Sequence, residues 1–162
     1  MQHLFTPWRF KYVTSVEHQT GCVLCRIAAT DPSEDESVFV LKRAAHNFLV
    51  LNIYPYTSGH LMIVPYEHCS RLAELPDATR AEFSDLTVRV EQLLTEVYRP
   101  EGINMGLNLG LCAGAGIVEH LHMHAVPRWT GDTSFMTVVG ETRVIPEDLP
   151  ETWRKLRERL SE

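Results

Sequence analysis

The stretch that decides the fold is His120-Leu121-His122-Met123-His124-Ala125-Val126-Pro127, in which a histidine stands at every second position. Side chains of a β-strand alternate between its two faces, so a strand here places all three imidazoles on one face. A helix would distribute the three rings around its circumference. The other face of the strand is apolar and suited to a core, with Leu121, Met123 and Ala125. Pro127 suits the end of such a strand, because proline has no N–H to donate to a neighbour. The stretch therefore predicts a strand that carries a chemical or metal site on one face.

Composition limits the classes of protein that fit. The chain has 162 residues, of which 44% are hydrophobic and 22% charged, as expected for a single globular domain spanning 1–162. The net charge is −6 and there is no run of five basic residues, which argues against a nucleic-acid partner. There is no apolar run of membrane-spanning length and no signal-peptide pattern at the N-terminus, so we expect no membrane association and a cytoplasmic protein. In that compartment cysteines are expected as thiols or metal ligands rather than disulfides, and there are four: Cys22, Cys25, Cys69 and Cys112.

The pattern of apolar residues predicts an α+β fold with an antiparallel sheet of about five strands. Runs rich in β-branched and aromatic residues, separated by turn residues, predict strands at Val38–Lys42, Phe48–Ile53, His60–Val64, Ile103–Leu109 and the histidine stretch. A further short run, Arg26–Ala29, has the character of a helix. Residues 1–20 form an aromatic-rich N-terminal arm.

Two longer helices are also predicted. One runs from Asp77, a plausible N-cap, to Tyr98, because its apolar residues recur at spacings of three and four: Ala81, Leu86, Val90, Leu93, Leu94 and Val97. The other lies in a C-terminal helical tail, 146–162, with an apolar stripe of Leu149, Trp153, Leu156 and Leu160.

The pair Cys22-x-x-Cys25 leaves three interpretations open. A redox pair is expected at the start of a helix in a βαβ unit, which the predicted meander does not supply. Two buried structural thiols are a second interpretation. The third is half of a metal site, completed by His68 after the third strand and by His120, with Cys69 as an alternative to His68. A closed Cys₂His₂ set is typical of structural rather than catalytic zinc.

The three histidines cannot all ligate one ion from a regular strand. At a rise of about 3.3 Å per residue, the Cα atoms of the first and last lie about 13 Å apart. We therefore expect different roles for His120, His122 and His124. The preceding loop, Gly110–Gly116, holds three glycines, and backbone N–H groups in such loops can hold phosphate oxygens. On the strand before that loop Asn104 and Asn108 share a face, where substrate contacts and simple edge polarity are both plausible.

These motifs resemble the histidine triad nucleotide hydrolases and transferases, whose signature is His-x-His-x-His-x-x with apolar residues at x. The resemblance covers the Cys-x-x-Cys element, Gly59–Pro65, the long helix, the Ala113-Gly114 loop and His120–Arg128. A narrower resemblance is to the bacterial diadenosine tetraphosphate phosphorylase branch. It rests on Thr6–Arg9, Asn52–Tyr56, the strand from Asn104 to Gly110, and Pro127–Trp129 with Gly131-Asp132 and Phe135.

The resemblance implies a role for each catalytic histidine. His122 matches the nucleophile, which attacks the α-phosphorus and carries a nucleotidyl group, and an imidazole that is neutral near pH 7 suits this role. His124 matches the residue that contacts phosphate oxygens. His120 matches a ligand of a structural Zn²⁺ together with Cys22, Cys25 and His68, and this zinc would brace the strand without taking part in the chemistry.

The resemblance also implies the substrate contacts. Asn52 stands where many relatives place an aspartate that holds the ribose hydroxyls, and Asn108 falls near a phosphate-contacting position. The loop before the triad departs from the family, because Ala115 and Gly116 stand where many relatives have glutamine and then serine or threonine. Backbone N–H groups of Gly114, Ala115 and Gly116 are therefore expected to replace side chains in binding phosphate.

The resulting hypothesis is a homodimeric enzyme that cleaves a nucleoside polyphosphate, with diadenosine tetraphosphate as the first choice. The nucleotidyl group would pass from histidine to inorganic phosphate or to water. One alternative is a nucleoside phosphoramidate hydrolase, and another is a zinc-braced nucleotide-binding module without significant catalysis.

Overall fold

The computed structural model describes residues 21–133, 135–140 and 144–161. The N-terminal arm and the Thr6–Arg9 motif lie outside these ranges. The predicted α+β architecture is confirmed: an antiparallel five-stranded sheet, in the order β1-β2-β3-β5-β4, carries a long helix and a C-terminal helix. The strands are β1 (Val40–Arg43), β2 (Asn47–Leu51), β3 (Leu61–Pro65), β4 (Gly102–Leu107) and β5 (Met123–Arg128). The helices are α1 (Val23–Ala28), α2 (Asp77–Tyr98), α3 (Phe135–Val138) and α4 (Leu149–Ser161).

The histidine stretch is only partly a strand, which corrects the prediction. β5 begins at Met123, so His120 and His122 precede it. The reason is tertiary: the Leu121 N–H donates to the carbonyl of Cys69 at 2.6 Å instead of joining the sheet. Pro127 lies inside the strand rather than ending it. It is tolerated because β3 pairs with β5 only as far as Ala125, and the Pro127 carbonyl on that side accepts from the Thr57 hydroxyl instead.

One face of the sheet packs against α2 and α4. Its core comprises Leu41, Leu49, Leu51, Leu61, Ile63, Met123 and Ala125 from the strands, with Leu93, Leu94 and Leu156 among the helix residues. Helix α2 has the predicted bounds, but Pro76 rather than Asp77 is the N-cap. Ala81 is exposed and Phe83 is buried, because the buried positions follow 79, 83, 86, 90, 93 and 94 and residue 81 falls on the opposite side of the helix.

The other face packs against the short helix α1. Its core contains Leu24 together with Val40, Phe48, Val50, Met62 and Val64. Since His124 is the cross-strand partner of Met62, its side chain lies on this same face. The sheet thus separates the histidines from the long helix. In the parts of the chain that the structure describes, no helix combines the length and apolar character needed to cross a bilayer.

The predicted tail helix also packs as its stripe indicated. Leu156 is fully buried, and Leu149, Trp153 and Leu160 pack against the same core. The Trp153 indole N–H donates to the Val40 carbonyl at 2.9 Å, which ties α4 to β1.

Candidate active site and metal centre

Four predicted metal ligands converge. The ligand atoms of Cys22, Cys25, His68 and His120 all lie within 4.8 Å of one another. His120 Nδ1 is 3.3 Å from Cys22 Sγ and 3.4 Å from Cys25 Sγ, and His68 Nδ1 is 3.2 Å from Cys25 Sγ. Cys69 is not part of the group, because its thiol lies 3.8 Å from the Arg71 carbonyl. The group is one that can hold a metal ion.

The geometry around His120 fits a zinc ligand. Its Nε2 is 2.9 Å from the Pro65 carbonyl, which can only accept, so Nε2 carries the proton and the lone pair of Nδ1 faces the two thiols. In a metal-bound histidine, the ring nitrogen that does not bind the metal usually donates a hydrogen bond, often to a backbone carbonyl. Two thiol ligands and two imidazoles form a donor set typical of tetrahedral Zn²⁺.

Local structure brings the two cysteines to this point. Cys22 is the N-cap of α1 and Cys25 lies in its first turn, so both thiols sit at the same end of the helix. Arg43 holds the other end, donating to the carbonyls of Ala28 at 2.9 Å and Ile27 at 3.3 Å. Burial raises the pKa of Cys25, and the hydrogen bond and charge of Cys22 raise it further.

His122 is held in one tautomer. Its ring is nearly buried, with 5% exposed, and its Nδ1 lies 2.7 Å from the carbonyl oxygen of His120. Since a carbonyl can only accept, Nδ1 carries the proton and Nε2 keeps its lone pair. Burial lowers the pKa of His122, which favours the neutral ring despite the opposing carbonyl contact. His122 therefore has the form that a nucleophile requires.

His124 is oriented by a chain of hydrogen bonds through His60. The Tyr56 backbone N–H donates to His60 Nδ1 at 3.1 Å, so the proton of His60 lies on Nε2. His60 Nε2 lies 3.0 Å from His124 Nδ1, so His60 donates this hydrogen bond and His124 Nδ1 accepts it. In a neutral His124 the proton is then on Nε2, which can donate to a ligand. The Asn52 amide nitrogen also lies 3.4 Å from His60 Nε2. Both atoms carry protons in this arrangement, so this long contact is not a hydrogen bond. The rings of His122 and His124 meet edge to face, with centroids 5.0 Å apart.

The two asparagines on and after β4 differ in their surroundings. Asn104 is exposed, and its carbonyl accepts from Arg128 Nη1 at 2.7 Å. Asn108 follows the end of β4 and is half-buried. Asn52 follows β2 and accepts from the Tyr54 N–H at 2.9 Å, so its side chain caps the turn that leads toward His60.

The glycine loop is closed by hydrogen bonds of its own. Residues Leu111–Ala113 form a 3₁₀ turn between Gly110 and Gly114, and both glycines have positive φ. The Gly114 N–H donates to Leu111 at 2.9 Å and the Ala115 N–H lies 3.4 Å from the Gly110 carbonyl. Two of the three N–H groups expected for phosphate are therefore engaged within the loop, and Ala115 is buried while Gly116 is exposed.

Sequence reasoning missed His60 and Arg43. His60 was placed in a strand without a role, although it shares a face with Met62 and Val64, and a histidine in such an apolar run was a usable signal. Its pairing with His124 spans 64 residues and could not be read from local spacing. Arg43 gave no sequence signal.

Comparisons with known proteins agree with this geometry. The HIT domain model matches residues 33–131. The AP-4-A phosphorylase of Mycobacterium tuberculosis strain H37Rv is 40% identical over 161 residues, covering 96% of this chain and 83% of that protein. The adenosine 5'-monophosphoramidase hnt1 of Schizosaccharomyces pombe is 30% identical over 108 residues, which cover 67% of this chain and 74% of that protein. A Zn-bound histidine triad family protein from Mycobacterium smegmatis has a similar structure, with a TM-score of 0.68 and 28% identity over 87% of this chain and 94% of that one. The chain therefore belongs to the HIT family.

Proposed function

We propose that this chain is a nucleotidyl transferase or hydrolase that cleaves a nucleoside polyphosphate, diadenosine tetraphosphate first, through a nucleotidyl-His122 intermediate. The observation that carries the proposal is the His122 contact to the His120 carbonyl, which leaves Nε2 unprotonated beside His124. The substrate is suggested by the 40% identity to a protein named AP-4-A phosphorylase.

The chemistry follows from these two rings. His122 Nε2 attacks the α-phosphorus, a P–N bond forms, and the bond from that phosphorus to the bridging oxygen breaks. The Nε2–H of His124 donates to a phosphate oxygen and stabilises the charge that develops there. In the second step an oxygen of inorganic phosphate or water attacks the same phosphorus, and His122 leaves as the neutral imidazole. Phosphate gives ATP plus ADP from diadenosine tetraphosphate, and water gives ATP plus AMP.

Substrate contacts are assigned to Asn52 for the ribose hydroxyls and to Asn108 with the Gly114–Gly116 backbone for phosphate. The engagement of the Gly114 and Ala115 N–H groups within the loop makes Gly116 the position best suited to contact phosphate. We assign Cys22, Cys25, His68 and His120 to a structural Zn²⁺, whose role is to fix the segment that carries His122.

We also propose a cytoplasmic homodimer. β4 ends the sheet, so its outer edge can pair with a second copy. Light scattering on the purified chain tests this state, and a monomeric mass would contradict it.

A second candidate is nucleoside phosphoramidate hydrolysis, which the identity to the S. pombe monophosphoramidase favours. It uses the same His122 intermediate, but an amine rather than a phosphate leaves. A nucleotide-binding module without catalysis is the third possibility.

One assay separates these functions. The purified chain is incubated with diadenosine tetraphosphate, with and without inorganic phosphate, or with adenosine 5'-phosphoramidate, and the products are identified. His122→Ala is expected to abolish turnover, while His46→Gln, which changes a histidine in the β1–β2 turn, serves as the matched control. Preferred turnover of the phosphoramidate would favour the second candidate. No turnover of either compound, with equal nucleotide affinity in wild type and His122→Ala, would favour the binding module.

A further inference from the structure

A cavity of about 650 Å³ lies at one end of the sheet. Its walls include Tyr56 and Ser58 from the loop before β3, Tyr98 at the end of α2, Trp129 and Asp132 after β5, and Glu147 before α4. This volume is within the range of small-molecule sites, roughly 300–1,000 Å³. The cavity is large enough for a bound organic ligand.

The cavity is separate from the triad. Tyr98 packs with the core on the α2 face of the sheet, whereas His124 lies with Met62 on the opposite face. Among the described residues that line it, none belongs to the triad, the metal cluster or the glycine loop. The loop containing Tyr56 lies between the two sites, and the Tyr56 ring is tilted against that of His60, with centroids 4.8 Å apart.

The walls of the cavity suit a flat ring. Tyr98 and Trp129 meet edge to face, with centroids 6.4 Å apart and an interplanar angle of 78°. Such a corner presents one aromatic face and one aromatic edge to a ligand, and aromatic groups pack well against both. Tyr98 is itself held in place, because its hydroxyl donates to Glu147 Oε1 at 2.6 Å.

One polar group in the cavity wall lacks a partner. The Ser58 hydroxyl is buried and has no hydrogen-bond partner among the described residues. Burial of a hydroxyl without a hydrogen bond is unfavourable. A ligand that forms a hydrogen bond with the Ser58 hydroxyl would therefore offset the desolvation penalty that the ligand-free protein carries. This hydroxyl can both donate and accept.

The charges of the described residues in the cavity wall disfavour a phosphorylated ligand. The charged residues in its wall are Asp132 and Glu147, and no cation is among the described lining residues. Both carboxylates are already paired, Asp132 with Arg128 and Glu147 with Lys155 at 2.7 Å. Among the described residues of this wall, an anion would find no positive partner and a cation would find no unpaired carboxylate.

We propose that this cavity is a second ligand site, which binds an uncharged heteroaromatic ring of nucleobase size through the Tyr98–Trp129 corner and the Ser58 hydroxyl. An unphosphorylated nucleoside meets these requirements, since its base supplies a flat ring with a hydrogen-bonding edge.

Calorimetry on the full chain with adenosine tests the proposal. AMP is added to saturation first, so that adenosine does not report on the proposed nucleotide site. Adenosine is expected to bind at one site per chain, and Ser58→Ala is expected to weaken this binding about fivefold through loss of one hydrogen bond. Trp129→Leu is expected to weaken it further, and Ser84→Ala, an exposed serine on α2, should bind as the wild type does.

Thermal unfolding of the free proteins supplies the second readout. Ser58→Ala removes an unpartnered buried hydroxyl, so it is expected to melt no lower than the wild type while binding adenosine more weakly. The proposal is overturned if millimolar adenosine does not bind, or if Ser58→Ala and Trp129→Leu leave the affinity unchanged. If AMP fails to bind at all, the proposed function is in question, but the effect of Ser58→Ala on adenosine still decides this site.

Discussion

Substitution of Gly59 by alanine is expected to destabilise the chain strongly. Gly59 lies immediately before His60 and has a φ of +79°, in the left-handed region. An alanine there costs about 1–2 kcal/mol for the backbone conformation alone. Its Cβ would also lie 2.7 Å and 3.0 Å from the Cε2 and Cδ2 atoms of Tyr98 and 3.2 Å from Cγ of Pro127.

Tyr98 cannot easily make room for that methyl group. Its hydroxyl is fixed to Glu147, and its ring packs against the main core. Overpacking of this kind costs about 1–3 kcal/mol. Alanine also lowers the conformational entropy of the unfolded chain, which stabilises the folded state by about 0.4–1 kcal/mol. We therefore expect Gly59→Ala to lower the free energy of unfolding by about 3 kcal/mol.

Urea denaturation of four variants separates the backbone cost from the ring contacts: Gly59→Ala, Tyr98→Leu, their double variant and Gly102→Ala. Gly102→Ala is the matched control, because a Cβ there meets no atom within 4 Å and its φ is not left-handed. Tyr98→Leu combined with Gly59→Ala removes the ring contacts but keeps the backbone strain, so the double-mutant cycle should show a coupling of about 1–3 kcal/mol. A Gly59→Ala variant that is as stable as Gly102→Ala would refute the reasoning.

Three further predictions concern the metal cluster, its support and the loop after β5. Cys22→Ser is expected to abolish bound zinc and lower the melting temperature, and zinc content equal to that of the wild type, measured by elemental analysis, would contradict the ligand set. Arg43→Lys is expected to cost about 1–3 kcal/mol, because lysine cannot reproduce the bonds that the guanidinium makes to Ala28, Ile27, Thr30 and Asp35. Urea denaturation checks this value, and an unchanged midpoint would argue against it. Arg128 lowers the pKa of Asp132 from 3.8 to about 2, so the carboxylate stabilises the fold above pH 3.8 and this contribution is lost as the pH falls through about 2. Because Arg128 is half exposed, Asp132→Asn should lower the free energy of unfolding by less than about 1 kcal/mol at neutral pH. The difference in stability between the two proteins should shrink below pH 3.8, as measured by urea denaturation at a series of pH values. A difference that grows on acidification would contradict the direction of the pKa shift.

Much of the fold was predictable because its signals are local. Runs rich in β-branched and aromatic residues, together with the histidine repeat, predict the bounds of all five strands to within three residues, and the apolar stripe predicts α2. Ala81 is apolar but does not lie on the buried side of α2, whereas Phe83 does lie on that side and is absent from the predicted stripe. The sequence predicts a strand that begins at His120. Instead, His120 contacts the carbonyl of Pro65 at the end of β3, and the Leu121 N–H donates to the carbonyl of Cys69 after β3.

Some residues of the candidate site were likewise predictable from local sequence patterns, whereas others depend on contacts between distant segments. The Cys-x-x-Cys pair and the histidine repeat are local patterns, and the side chains proposed as metal ligands do converge. His60 depends on contacts between distant segments, so its bond to His124 emerges only in the folded chain. The compact glycine loop also needed the structure, because glycine content indicates backbone freedom and not the direction of the N–H groups.

The wide separation of the four proposed metal ligands along the chain has a consequence for the order of folding. Cys22 and His120 are 98 residues apart, and His68 lies between them, so the complete set exists only after β3 and β5 have paired. Unlike a zinc finger, whose ligands lie close together in sequence, this chain must assemble its sheet before a fourth ligand is available. A metal bound at the proposed site would therefore act on a structure already formed, and we expect it to slow unfolding rather than to start folding. Refolding with a chelator present should therefore proceed at nearly the rate seen with zinc, while unfolding should be faster.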